Sequence, residues 1–72
     1  MKFTPDSPPE DGQNIFIAGT DLEPNKIVKA TYSGKSADER GSNEIGSHHL
    51  SKWLVFDNES EAIEALIDKL DD

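Results

Sequence analysis

Apolar positions along the chain fall into short groups separated by stretches rich in glycine, proline and charge. The first group, Ile15-Phe16-Ile17, is β-branched and aromatic and lies between Gly12 and Gly19. It predicts a strand over 14–18. Residues 20–25 carry Asp21, Pro24 and Asn25, side chains suited to a turn. Residues 26–32 then alternate, with Ile27, Lys29 and Thr31 on one face and Val28, Ala30 and Tyr32 on the other. This predicts a second strand, paired antiparallel with the first across a short polar loop. Residues 50–56 predict a third strand, with Leu50, Leu54 and Phe56 on one face and Trp53 and Val55 on the other. Because the run from Trp53 to Phe56 is apolar on both faces, this strand is expected in the centre of the sheet. Alternatively, one face packs on a helix and the other on a partner chain.

Residues 57–70 change period. Asn58 can cap a helix, with Glu61 three residues later completing a capping box. Ile63, Leu66, Ile67 and Leu70 follow at the i, i+3, i+4, i+7 spacing of one helical face, flanked by the helix formers Ala62 and Ala65. Between the second and third strands, residues 33–47 are polar, with Gly34, Gly41 and Gly46 and only Ile45 able to reach a core. They predict a long loop with one helical turn near 36–40. Residues 1–12 contain Pro5, Pro8 and Pro9 and no apolar period, which predicts a flexible acidic tail; Phe3 is the one residue able to dock. The expected fold is therefore α+β, in the order β-β-loop-β-α. A small three-stranded antiparallel sheet carries one C-terminal helix, and residues 13–72 form a single domain.

Composition limits how stable such a domain can be on its own. Leu, Ile, Val and Phe together number 16 of 72 residues, and hydrophobic residues make up 33%. A chain of this length buries only about 60% of its unfolded surface, so a staple is expected. There is no cysteine, which excludes a disulfide or a thiolate zinc site. A second copy is the remaining inexpensive staple, and Trp53 and Val55, on the face opposite the helix, are its expected interface in a two-fold homodimer. No apolar run reaches membrane-spanning length and no signal-peptide core follows Met1, so a cytoplasmic location is expected.

The formal charge is -8, which argues against direct binding to nucleic acid or an anionic membrane. Its distribution is more informative than its size. Residues 53–72 set Lys69 against Asp57, Glu59, Glu61, Glu64, Asp68, Asp71 and Asp72, a net of -6. On a helix, Glu61, Glu64 and Asp68 form one exposed stripe. Glu64 and Asp68 are a like-charge i, i+4 pair, and Asp68, Asp71 and Asp72 oppose the helix macrodipole. A helix built only for stability would carry lysines there. A row of carboxylates can stand in for phosphates in the groove of a basic protein. In size and charge alone the chain resembles small phage-encoded inhibitors that mimic DNA; no motif carries that resemblance.

What it implies is a non-catalytic inhibitor, acting in the host cytoplasm if phage-encoded. Such an inhibitor would occupy the nucleic-acid-binding surface of a basic target through those seven acids, with Asp38, Glu39 and Glu44 adding to them. The alternative is a small regulatory or immunity-type protein that recognises an enzyme through its apolar sheet face, the charge serving solubility.

Other chemistry finds little support. His48 and His49 are adjacent, so on a strand they point to opposite faces and chelate one ion poorly. Asp57, Glu59 and Glu61 match positions 1, 3 and 5 of a calcium loop, but Ala62 stands where glycine is required and Asp68 where glutamate is required. Ser47, Ser51 and His48 lack a nucleophile elbow or an oxyanion loop, and the glycines form no phosphate-binding loop. No enzyme activity, cofactor or metal is expected.

Overall fold

In the computed structural model, which describes residues 1–71, the alternation of residues 14–32 becomes a hairpin. Strand β1 (Asn14–Ala18) pairs antiparallel with β2 (Ile27–Tyr32), Ile15 opposite Ala30 and Ile17 opposite Val28. The loop between them depends on Gly19, whose φ of 89° is left-handed. A β-carbon there would run into the carbonyl oxygen of Pro24. The Thr20 hydroxyl accepts the Glu23 N–H at 3.1 Å and closes the turn.

The sheet has four strands rather than the three antiparallel ones expected, in the order β3-β2-β1-β4. Strand β3 (Glu44–Ile45) comes out of the stretch read as a loop, which also holds a 3₁₀ turn at Ala37–Glu39. It runs parallel to β2, with Tyr32 beside Ile45, so the sheet is mixed. The expected third strand over 50–56 is divided. Its first part is a short helix, α1 (Ser47–Lys52), and only β4 (Val55–Phe56) is extended. The His49 imidazole explains the helical start: its Nδ1 accepts the Gly46 N–H at 3.0 Å, and its backbone N–H donates to the Gly46 carbonyl at 3.1 Å. One turn of helix buries Leu50 alone. Strand β4 lies outside β1, toward the sheet edge and not at its centre.

The two-sided apolar character of residues 53–56 has its cause in the layering. On one side of the sheet, Ile15, Ile17, Tyr32, Ile45 and Val55 pack with Leu50 of α1 and with Phe3. On the other side, Ala18 and Phe56, with Phe16, Ile27 and Leu54, pack under Ala62, Ala65 and Leu66 of the C-terminal helix, α2 (Glu59–Leu70). Leu50 and Leu54, expected on one face, therefore lie on opposite sides. Among the described residues, the chain itself packs against both faces of the sheet.

The segment read as a tail is held at its start. Phe3 is buried and donates its N–H to the Val55 carbonyl at 2.8 Å. Lys2 pairs antiparallel with Phe56, beyond β4. Pro9 is also buried, and the Asp11 carboxylate accepts the Gly34 N–H at 2.7 Å. Residues 1–12 thus belong to the folded unit at Phe3, Pro9 and Asp11. Among the described residues no helix is long and apolar enough to cross a membrane.

Candidate functional site

Helix α2 starts where the sequence places it. The Asn58 side-chain oxygen accepts the Glu61 N–H at 2.9 Å, and the Glu61 carboxylate accepts the Asn58 side-chain amide at 2.7 Å. One orphan N–H of the first turn is thereby satisfied, and Glu59 and Glu61 favour the positive end of the macrodipole. At about 100° per residue, the helix then presents three faces. Ala62, Ala65 and Leu66 face the sheet. Glu61, Glu64, Asp68 and Asp71 form a row on one flank, and Ile63, Ile67 and Leu70 a row on the other.

The apolar row departs from the expectation. Of the four residues assigned to the core face, only Leu66 is buried; Ile63, Ile67 and Leu70 are 41%, 54% and 55% exposed. Ala62 takes the central buried place. The sheet supplies bulk at Phe16 and Phe56, so a small side chain on the helix lets the two come close. The signal in the sequence was the spacing of Ala62, Ala65 and Leu66, which defines a second helical face as well formed as the first.

The expected acidic residues separate into three groups. Asp57 and Glu61 both accept from the amino group of Met1, at 2.6 Å for Asp57. That hydrogen bond holds the Asp57 carboxyl below the usual carboxylate range. It also places the Glu61 side of α2 toward β4, where Met1 and Lys2 run. Glu59, Glu64, Asp68 and Asp71 are exposed and form no ion pair among the described residues. Asp72 lies outside the described residues. Asp38 and Glu39 belong to the β2–β3 connection, with the Glu39 carboxylate accepting the Ser36 hydroxyl at 3.0 Å. Glu44 is in β3, at the opposite edge of the sheet from β4. The fold does not bring these three together with the acids of α2.

The expected dimer interface also divides. Val55 is fully buried in the core and cannot touch a partner. Trp53 is half-buried at the end of α1, its ring stacked on His49 at 4.5 Å and its indole N–H 3.4 Å from Asp21. It lines a groove of about 460 Å³ floored by Ile17, Val28, Ala30 and Ile45 and walled by the hairpin loop and Asn43. Lys52 and Asp21 form an ion pair at its rim. Hydrogen bonds from Lys52 and Trp53 lower the Asp21 carboxyl from its usual value.

His49 and His48 stand at the start of α1, not on a strand. Burial depresses the His49 imidazole below its ordinary value, and the nearby His48, Arg40 and Lys52 act in the same direction. With Nδ1 accepting from Gly46, the neutral ring carries its proton on Nε2. No group of three or more His, Cys, Asp or Glu side chains able to hold a metal occurs among the described residues. No family model, curated protein or solved structure matches the chain.

Proposed function

We propose that the protein is a non-catalytic, acidic binding protein that imitates nucleic-acid phosphates with one flank of α2. In this reading it occupies the nucleic-acid-binding surface of a basic protein. The observation that carries the proposal is the row Glu64, Asp68 and Asp71, exposed on a rigid helix and free of ion pairs among the described residues. From position 61 to 71 the helix axis advances about 15 Å and bears four carboxylates. That is one charge per ~5 Å, against one per about 3.4 Å along a single DNA strand. The row has the scale of one strand of phosphates at somewhat lower density. Glu61 adds less than the others, because the Met1 amine offsets its charge. A cytoplasmic setting and a phage origin belong to the same proposal. Homodimerisation, also proposed, would have to form around Trp53 without Val55.

The test is capture from a lysate at low salt, with the parent and with the double variant Glu64→Gln, Asp68→Asn as baits. The proposal expects a nucleic-acid-binding protein that is released by added duplex DNA and by moderate salt, and is poorly held by the variant. A partner retained equally by both baits and indifferent to DNA overturns it. A second reading is favoured by the groove at Trp53: a regulatory or immunity-type protein gripping an enzyme through the apolar sheet face. That partner would stay bound through the salt gradient and be lost on Trp53→Ala.

A further inference from the structure

Apolar side chains are scarce in this chain, yet three large ones lie on its surface in one row. Ile63, Ile67 and Leu70 are separated by four and then three residues, the spacing of a coiled-coil seam with Ile63 and Leu70 at d and Ile67 at a. The core does not use them, since Ala62, Ala65 and Leu66 fill the contact with the sheet. The same register places Glu64 and Asp71 at e, and at g it places Glu59 and then Leu66, which is buried against the sheet; e and g are the positions that flank a seam and set partner choice. The three acids are exposed.

From this register we infer that α2 docks an amphipathic helix of a partner protein. That helix carries an apolar row to meet Ile63, Ile67 and Leu70, with Lys or Arg along the side that meets Glu64 and Asp71 and one more opposite Glu59. The inference rests on the proposed function and deepens it: nucleic-acid-binding proteins commonly present a basic helix to the groove they read, and here that helix would find both charge and an apolar anchor. A second copy of this chain is the wrong occupant. Pairing two α2 helices through the seam sets Glu59 against Glu64 of the other copy when they run parallel and Glu64 against Asp71 when they run antiparallel, and like charges across a seam repel.

The experiment titrates the isotope-labelled full chain with three synthetic helical peptides, followed by NMR. One peptide has Leu at a and d and Lys at e and g. The second keeps Lys but has Gln at a and d, and the third keeps Leu but has Glu at e and g. The first peptide is expected to shift the amides of Ile63, Ile67 and Leu70, and the other two to bind at least about ten-fold more weakly, the scale of burying one apolar side chain. Ile67→Ser and, separately, Leu70→Ser should weaken the Leu/Lys peptide and leave the Gln/Lys peptide unchanged. If both serine variants hold the Leu/Lys peptide as the parent does, the seam is refuted, while weakening by Glu64→Gln, Asp68→Asn keeps the acidic proposal standing. If that acidic variant also binds both Lys peptides normally, the proposed function fails as well. Should Ile67→Ser fold poorly, Leu70→Ser in the last turn and the shift map of the parent decide. Shifts centred on Trp53, or a parent dimer lost on Leu70→Ser, overturn the inference.

Discussion

His49 illustrates how a single side chain acquires a structural task through its surroundings. In the sequence it is one of two adjacent histidines, and a strand reading leaves it without a role. In the fold its ring accepts the Gly46 N–H, stacks on Trp53 and is partly buried near cationic neighbours. The depressed imidazole fixes a direction of pH dependence. Between the lowered folded value and the ordinary value near 6.5, the unfolded chain binds more protons than the folded one, so stability rises with pH. The contribution is complete above the ordinary value and is lost as pH falls through the folded one. Thermal melts between pH 7.5 and 5 should show this decline in the parent and a smaller one in His49→Gln; equal slopes would remove the role given to the imidazole. Gly19 makes a second residue-scale prediction. Its φ of 89° and the nearby Pro24 carbonyl mean that Gly19→Ala should destabilise by about 1–3 kcal/mol in urea unfolding. The glycine itself was legible as a strand boundary. Its contact with Pro24 was not, because that depends on how the loop closes.

Helix α2 was legible in its start, length and acidic flank, and misjudged in which face it buries. Two apolar arcs overlap on this helix, one of large residues and one centred on alanine, and side-chain size alone favours the first. The sheet decides otherwise, because Phe16 and Phe56 fill the space and call for a small residue opposite. The consequence is a sharp difference between neighbours. Leu66→Ala, at a buried position, should cost about 2–5 kcal/mol. Ile67→Ala, more than half exposed, should stay within about 0.5–1 kcal/mol. Urea unfolding of the two variants checks this, and equal losses would return Ile67 to the core. The acidic flank has its own test. Replacing Glu64 and Asp68 together by Gln and Asn removes a like-charge i, i+4 pair, so the melting temperature should hold or rise slightly at low salt. A clear loss of stability would mean that these carboxylates serve the fold instead of a partner.

At the scale of the whole molecule, the question posed by composition was what holds so small a core together without a cysteine. Covers from within the chain supply part of the answer, and a second copy, proposed above, would add to them at Trp53. Leu50 of α1 and Phe3 lie over one face of the sheet and α2 over the other. Neither inner cover could be read from local pattern. Phe3 is an isolated aromatic in a proline-rich stretch, and Leu50 fits the alternation of a strand as well as one turn of helix. Their placement comes from pairings distant in sequence, Lys2 with Phe56 and Phe3 with Val55, and no local period encodes those. The N-terminal segment should accordingly behave as part of the cooperative unit. Phe3→Ala removes a buried ring at a place where the backbone is also held to β4, and a loss of about 3–5 kcal/mol is expected, enough to unfold much of a domain this small. A detached tail predicts the opposite, a variant that unfolds at the same urea concentration as the parent. Amide exchange separates the two cleanly. In the parent, the N–H of Phe3 should be protected to nearly the same degree as those of the β1–β2 hairpin, because opening the segment exposes the ring and uncovers Ile15 and Val55 at once. Rapid exchange at Phe3 beside a protected hairpin would show that the sheet keeps its own stability and that the inner face needs some other cover.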